Sequence, residues 1–209
     1  IPNGIRQLIS LTFLSLGYNV LTGTIPNWIG DLHQLIRLNL DYNSFATGTI
    51  PSSLSQLLSL TFLSMSNNLL SGTIPQSFTK LKMLYLLSLG INQLHGSIPM
   101  WMYQLTSLKY LYLNNNQFTG TIPSTLSAAV VMEQFDFSYN LLTGTITDIF
   151  GTLVNLNSIE LENNHLIGTM PTSLSTLCYL SRLFVQDNYL SGSLNMVFNG
   201  SFQHSLRNI

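Results

Sequence analysis

The sequence predicts an α/β repeat solenoid: one coil of 24 residues, wound about eight times into a single array over residues 1–209. Three observations predict it. An asparagine recurs as Asn19, Asn43, Asn68, Asn92, Asn116, Asn140, Asn164 and Asn188, at intervals of 24, 25, 24, 24, 24, 24 and 24 residues. A glycine follows each one, from Gly23 to Gly192. All seven prolines fall at one place in the coil, and only Thr147 and Asn195 interrupt that column. One extra residue near Ala46 accounts for the single interval of 25.

The coil from Leu8 to Asp31 shows what each part should be. Leu14 and Leu16 alternate with polar residues, which predicts a short strand with both leucines on one buried face. Asn19 turns the chain, its amide bonding backbone groups that the turn leaves open. Stacked on its equivalents, it should form a ladder. Leu21, Gly23 and Ile25 then read as the inward side of a second, shorter strand, with Thr22 and Thr24 outward. Pro26 ends that strand, because it has no N–H to donate. Trp28, Ile29 and Leu32, at spacings near three, suggest a 3₁₀ turn. The sixth coil, Ala129 to Thr152, is the loosest: alanine opens it, Phe135 and Phe137 replace strand leucines, and Thr147 replaces proline. The phenylalanines are expected to refill the volume lost at Ala129.

Composition bounds the function. Hydrophobic residues make up 45% of the chain, enough for a long core, and charged residues only 7%, far below the roughly 25% of an ordinary domain. Solubility must come from Ser, Thr, Asn and Gln. The net charge of −1 and the lack of a basic stripe argue against nucleic acid or an anionic membrane as partner. No window reaches 18 apolar residues, so no membrane segment is expected. Cys178 is the single cysteine, which excludes an internal disulfide, and its place beside Leu177 reads as a quiet, partly buried thiol. Neither end carries the polar cap a solenoid needs, so the expectation is a piece of a longer protein.

The sentence LxxLxxLxLxxNxLxGxIP, as in Leu105–Pro123, resembles the leucine-rich repeat, and its LxGxIP tail resembles the plant-type subclass. That subclass builds receptor-like kinase and receptor-like protein ectodomains and polygalacturonase-inhibiting proteins. The resemblance implies a right-handed superhelix with a parallel sheet on its concave face and 3₁₀ turns on its convex side. It further implies non-enzymatic, extracellular or cell-surface recognition of a protein, peptide or glycan, without a cofactor. Asn199-Gly200-Ser201 is the one glycosylation sequon.

Three surfaces are candidates. The first is the concave sheet. Its variable positions offer aromatics in coils one to five (Phe13, Tyr18, Tyr42, Phe62, Tyr110 and Tyr112), typical anchors of recognition. Coils six to eight offer carboxylates there (Asp136, Glu160, Glu162 and Asp187), which suit a basic partner or a cation. Glu160 and Glu162 could approach as a glycosidase pair, but an open sheet gives no water-excluding pocket. The four histidines (His33, His95, His165 and His204) occupy unrelated repeat positions, so catalysis and a metal site are not expected. The second surface is the pair of hydroxyl columns, including Thr22, Thr24, Thr47, Thr49, Thr119, Thr121, Thr143 and Thr145. These resemble the flat T-x-T faces of ice-binding solenoids. The third is the ends of the array, which could self-associate into adhesive or filamentous assemblies.

Overall fold

The computed structural model of the protein describes residues 1–192, the side chains of residues 46 and 47 excepted. Each coil contributes one three-residue strand to a long parallel sheet. These strands are Phe13–Ser15, Arg37–Asn39, Phe62–Ser64, Leu86–Ser88, Tyr110–Tyr112, Gln134–Asp136, Ser158–Glu160 and Arg182–Phe184. They lie side by side in chain order, each paired with the strand of the next coil. A second parallel sheet has seven strands, from Ala46–Thr49 to Tyr189–Leu190, again in coil order. The first coil joins it only through a bridge from Thr22 to Ser44.

Short 3₁₀ helices close the coil, and proline decides their length. Seven helices run five residues, and each begins directly after a proline held at φ between −63° and −69°. That fixed φ presets entry into the turn, and the missing N–H would have had no partner inside it. Where Thr147 stands in the proline column, the helix shrinks to Phe150–Thr152.

The core lies between the two sheets and the 3₁₀ helices. In the fifth coil, Leu105, Leu108, Leu111, Leu113, Phe118, Ile122 and Leu126 are between 0 and 3% exposed, so the whole apolar frame of the repeat faces inward. Coil six packs three phenylalanines together. Ala129 is buried, and the Phe135 ring stands 4.8 Å from Phe137 and 5.8 Å from Phe150, a third phenylalanine that the strand positions did not reveal.

The asparagine ladder is complete from coil two onward. Asn116 donates to the carbonyls of Leu89 in the preceding coil (3.0 Å), Leu113 (3.1 Å) and Asn114 (3.2 Å). Its Oδ1 accepts the N–H of Leu94 at 2.9 Å, again from the preceding coil. Asn43, Asn68, Asn92, Asn140, Asn164 and Asn188 repeat this set. Asn19, in the first coil, is exposed and bonds only to its own turn.

Two features differ from the sequence reading. Tyr18, Tyr42, Asn67, Ile91, Asn115, Tyr139, Asn163 and Asp187, which precede the ladder asparagines, take φ between +52° and +57°. They form a left-handed turn beyond the strand and are not sheet residues. Asn and Asp suit that region, whereas the β-branched Ile91 is strained there. The regular glycines also do more than fill a small inward position. Seven of them, including Gly72, Gly96 and Gly144, take φ between +78° and +92°. A Cβ on Gly144 would stand 2.8 Å from the Thr121 methyl of the preceding coil. Gly48 is the exception. It follows the extra residue, lacks the positive φ, and sits where pairing between Ala46–Thr49 and Leu69–Gly72 shifts register.

Candidate functional site

The outer face of the long sheet carries the residues with the most chemistry. Equivalent positions pair in register, so two columns run its length. One is Phe13, Arg37, Phe62, Leu86, Tyr110, Gln134, Ser158 and Arg182. The other is Ser15, Asn39, Ser64, Ser88, Tyr112, Asp136, Glu160 and Phe184. Between coils two and six the face sinks into a cleft of about 760 Å³ walled by Phe62, Tyr85, Leu86, Tyr110 and Tyr112, with Arg37 at one end and Gln134 at the other.

The aromatic walls are held in place. Tyr110 donates its hydroxyl to Glu133 Oε2 at 2.5 Å, and Lys109 Nζ reaches Glu133 Oε1 at 2.6 Å. Tyr112 donates to Gln134 Oε1 at 2.8 Å. Tyr85 meets Tyr110 edge to face at 5.1 Å. The Lys109 and Tyr110 hydrogen bonds hold the Glu133 carboxyl below its usual range, and the same carboxylate pushes the Lys109 ammonium and the Tyr110 phenol up. The Arg37 guanidinium lies 3.8 Å above the Phe62 ring.

Of the aromatics expected on this face, Phe62, Tyr110 and Tyr112 line the cleft. Phe13 is exposed on the first strand and lies outside it. Tyr18 and Tyr42 stack on each other at 4.3 Å in the left-handed turns, so they too lie outside it. Tyr85 was missed because it precedes the variable strand positions. Its aromatic character, in the column that also holds Lys109 and Glu133, was the available signal.

The carboxylates of coils six to eight accept hydrogen bonds from their neighbours, and among the described residues only Glu160 has a cation within 4.0 Å. Asp136 Oδ1 accepts the Ser138 N–H at 2.9 Å and hydroxyl at 2.5 Å. Glu160 Oε1 accepts from Ser158 at 2.8 Å and lies 3.8 Å from Arg182. Asp187 sits in a turn, 3.4 Å from the Asn163 amide. Among the described residues no three His, Cys, Asp or Glu side chains converge to hold a metal. Glu162 Oε2 is buried with no partner among the described residues. Burial first, then repulsion from Asp136, Glu160 and Asp187, raises the Glu162 pKa. A raised folded-state pKa favours folding below the ordinary carboxylate range and loses that contribution as pH rises through it. Glu162→Gln should therefore raise the thermal midpoint at pH 7 and leave it unchanged near pH 3, below about pH 4 where both side chains are neutral. Equal midpoints at pH 7 would show that the carboxylate is not strained.

The repeat pattern described as Leucine Rich Repeat matches residues 10–32, 34–57, 59–81 and 107–129. The ectodomain of the Arabidopsis thaliana receptor kinase SOBIR1 is 30% identical, over 62% of this chain and 72% of that one, with a TM-score of 0.59. The chain belongs to the leucine-rich repeat family. Its LxGxIP coils are of the plant type. The Arabidopsis receptor kinase HAESA, solved with the peptide hormone IDA and the co-receptor SERK1, is 39% identical over 91% of this chain, with a TM-score of 0.88. The plant peptide hormone receptor RGFR1, solved with RGF2, is 37% identical over 91%, with a TM-score of 0.87. This leucine-rich repeat array covers only 32% and 30% of those two chains. No curated protein sequence matches it.

The threonines of this leucine-rich repeat array do not stand in the two straight columns expected. In the second sheet Thr143 pairs with His165 and Thr145 with Ile167, so neighbours are 22 residues apart while equivalents are 24 apart. Thr119 accordingly lies beside Leu141 and not beside Thr143. The stagger slants the hydroxyl rows, and the threonines have structural work. Thr119 and Thr143 each donate to a glycine carbonyl of the preceding coil at 3.4 Å. The methyls of Thr49, Thr121 and Thr145 each crowd a glycine of the following coil. Thr22 and Thr24 are exposed on the first coil. The Thr47 side chain and Asn199 lie outside the described residues. Cys178 is exposed and not partly buried, because the position after the fully buried Leu177 turns outward from the 3₁₀ helix. No helix among the described residues is long and apolar enough to cross a membrane.

Proposed function

We propose that this array is a non-enzymatic recognition module of an extracellular or cell-surface protein, and that it takes an extended peptide on the outer face of its long sheet. The observation that carries the reading is the aromatic cleft, whose tyrosines are positioned before any ligand arrives by the bonds to Glu133 and Gln134. Rigid, amphipathic rings lose little freedom on binding, which is why they dominate recognition surfaces. Of the proteins similar to this chain, RGFR1 is a plant peptide hormone receptor and the receptor kinase HAESA was solved in complex with a peptide hormone.

The test pans a displayed library of random dodecapeptides on the full chain. Enriched peptides should lose about 100-fold in affinity for a Tyr110→Ala, Tyr112→Ala protein, two anchors being removed at once. Circular dichroism of that protein should be unchanged, since both side chains stand outside the core. Undiminished binding would remove this face from the argument.

A further inference from the structure

The charges around the cleft name the chemistry of its occupant. Three cations stand along the long sheet. Lys109 is spent on Glu133 at 2.6 Å, and Arg182 lies 3.8 Å from Glu160. Arg37 alone has no carboxylate within 4.0 Å among the described residues. Asp41, in the same coil, is committed elsewhere: its Oδ1 accepts the Ser64 hydroxyl at 2.6 Å and the Ser66 N–H at 2.7 Å. An unpaired arginine on a surface is ordinary. This one closes the end of the cleft, and its guanidinium lies 3.8 Å over the Phe62 ring. Stacking on a ring holds the guanidinium plane and leaves its N–H edge open, the arrangement that takes a carboxylate on two parallel hydrogen bonds.

The opposite end has the opposite sign. Asp136 stands beside Gln134 on the same strand, Glu160 follows on the next, and Arg182 answers only part of that charge. The strands are about 4.8 Å apart, so four steps from Arg37 in coil two to Asp136 in coil six span about 19 Å, and a fifth reaches Glu160. An extended peptide rises about 3.3 Å per residue, so six to seven residues bridge those points. The walls between them are apolar and aromatic.

Resting on the peptide reading above, we infer that the cleft takes an extended peptide of dipolar pattern: an anionic group seated on Arg37, apolar or aromatic side chains over Tyr85 and Tyr110, and a lysine or arginine about six or seven residues away against Asp136 and Glu160. Charge fixes the direction in which the peptide lies. The reversed peptide would set its cation on Arg37 and its anion on the carboxylates, and like charges brought together oppose binding.

The dodecapeptide library tests this with three proteins: the unmodified full chain, Arg37→Gln and Arg37→Glu. The unmodified chain should enrich sequences with Asp or Glu six or seven positions from Lys or Arg. Its best peptide should bind Arg37→Gln about tenfold more weakly. Arg37→Glu should enrich peptides that are basic at that end instead. Arg37 is exposed and its side chain lies outside the core, so these variants should keep the unmodified circular dichroism. Peptides that need Tyr110 and Tyr112 yet show no charge spacing, and bind Arg37→Gln within about twofold, would overturn this inference and leave the peptide reading standing. Peptides that do not depend on Tyr110 and Tyr112 at all would overturn both.

Discussion

Replacing Asn140 with alanine should lower the stability of the array by about 3 kcal/mol, the largest effect expected of any single polar change here. The side chain is only 6% exposed and makes four bonds. It donates to Leu113, Phe137 and Ser138, each at 3.1 Å, and accepts the Phe118 N–H at 3.0 Å. Two of those partners belong to the preceding coil, so alanine strips a bond set that holds two coils together. The Phe118 N–H is left buried beside an apolar methyl, and an unmade buried bond costs about 1–3 kcal/mol. Asn19→Ala is the matched control. It has the same chemistry and repeat position, but its amide bonds only to the exposed turn of its own coil, and a loss of about 0.5 kcal/mol is expected. Urea titration with hydrogen exchange along the chain reads both, because a solenoid can open coil by coil. Equal midpoints for the two variants would mean that the ladder is ornamental.

Gly144→Ala should cost about 2 kcal/mol. The residue sits at φ +78°, where a side chain is strained, and the new methyl would meet the Thr121 Cγ2 at 2.8 Å. Gly48→Ala isolates the cause. Its φ is not positive, and its nearest neighbour, the Thr24 methyl, would stand at 3.3 Å. It should lose well under about 1 kcal/mol. If both substitutions cost the same, backbone conformation is not what selects glycine at this position. If Gly144→Ala is recovered in a Thr121→Ser background, the methyl contact is the larger part.

Much of the coil was legible because its signals repeat at a fixed period. The leucine spacing located the strands, the proline column located the 3₁₀ helices, and the interval of 25 located the shift near Ala46. The shortened helix after Thr147 follows the same logic. What escaped depends on how one coil leans on the next. The two-residue stagger of the second sheet appears nowhere in a list of equivalent positions, and it turns straight threonine columns into slanted rows. The left-handed turns at Tyr18, Tyr42 and Asp187 look like strand continuation, since a tyrosine there carries no backbone label. At the cleft, Phe62, Tyr110 and Tyr112 were visible, whereas Tyr85 and the Glu133 that orients its neighbours were not. Those two precede the alternating positions, and their roles arise from partners 23 to 25 residues away in sequence.

The offsets between coils also govern how such a protein can change length. From coil two onward, outside the 25-residue step, each ladder asparagine reaches a carbonyl 27 residues back and an amide 22 back, and Gly72, Gly96, Gly144, Gly168 and Gly192 each lie under a threonine 23 back. A tandem duplication or deletion of 24 residues preserves every one of these distances at once, so the new junction is as well bonded as the old. Any other length breaks several together. The 25-residue coil shows the toll of a single step out of phase: a shifted strand pair, a glycine outside its usual conformation, and an asparagine bond stretched to 3.3 Å. Inheritance in this family should therefore proceed in whole coils, and natural variants that gain or lose part of one should be rare.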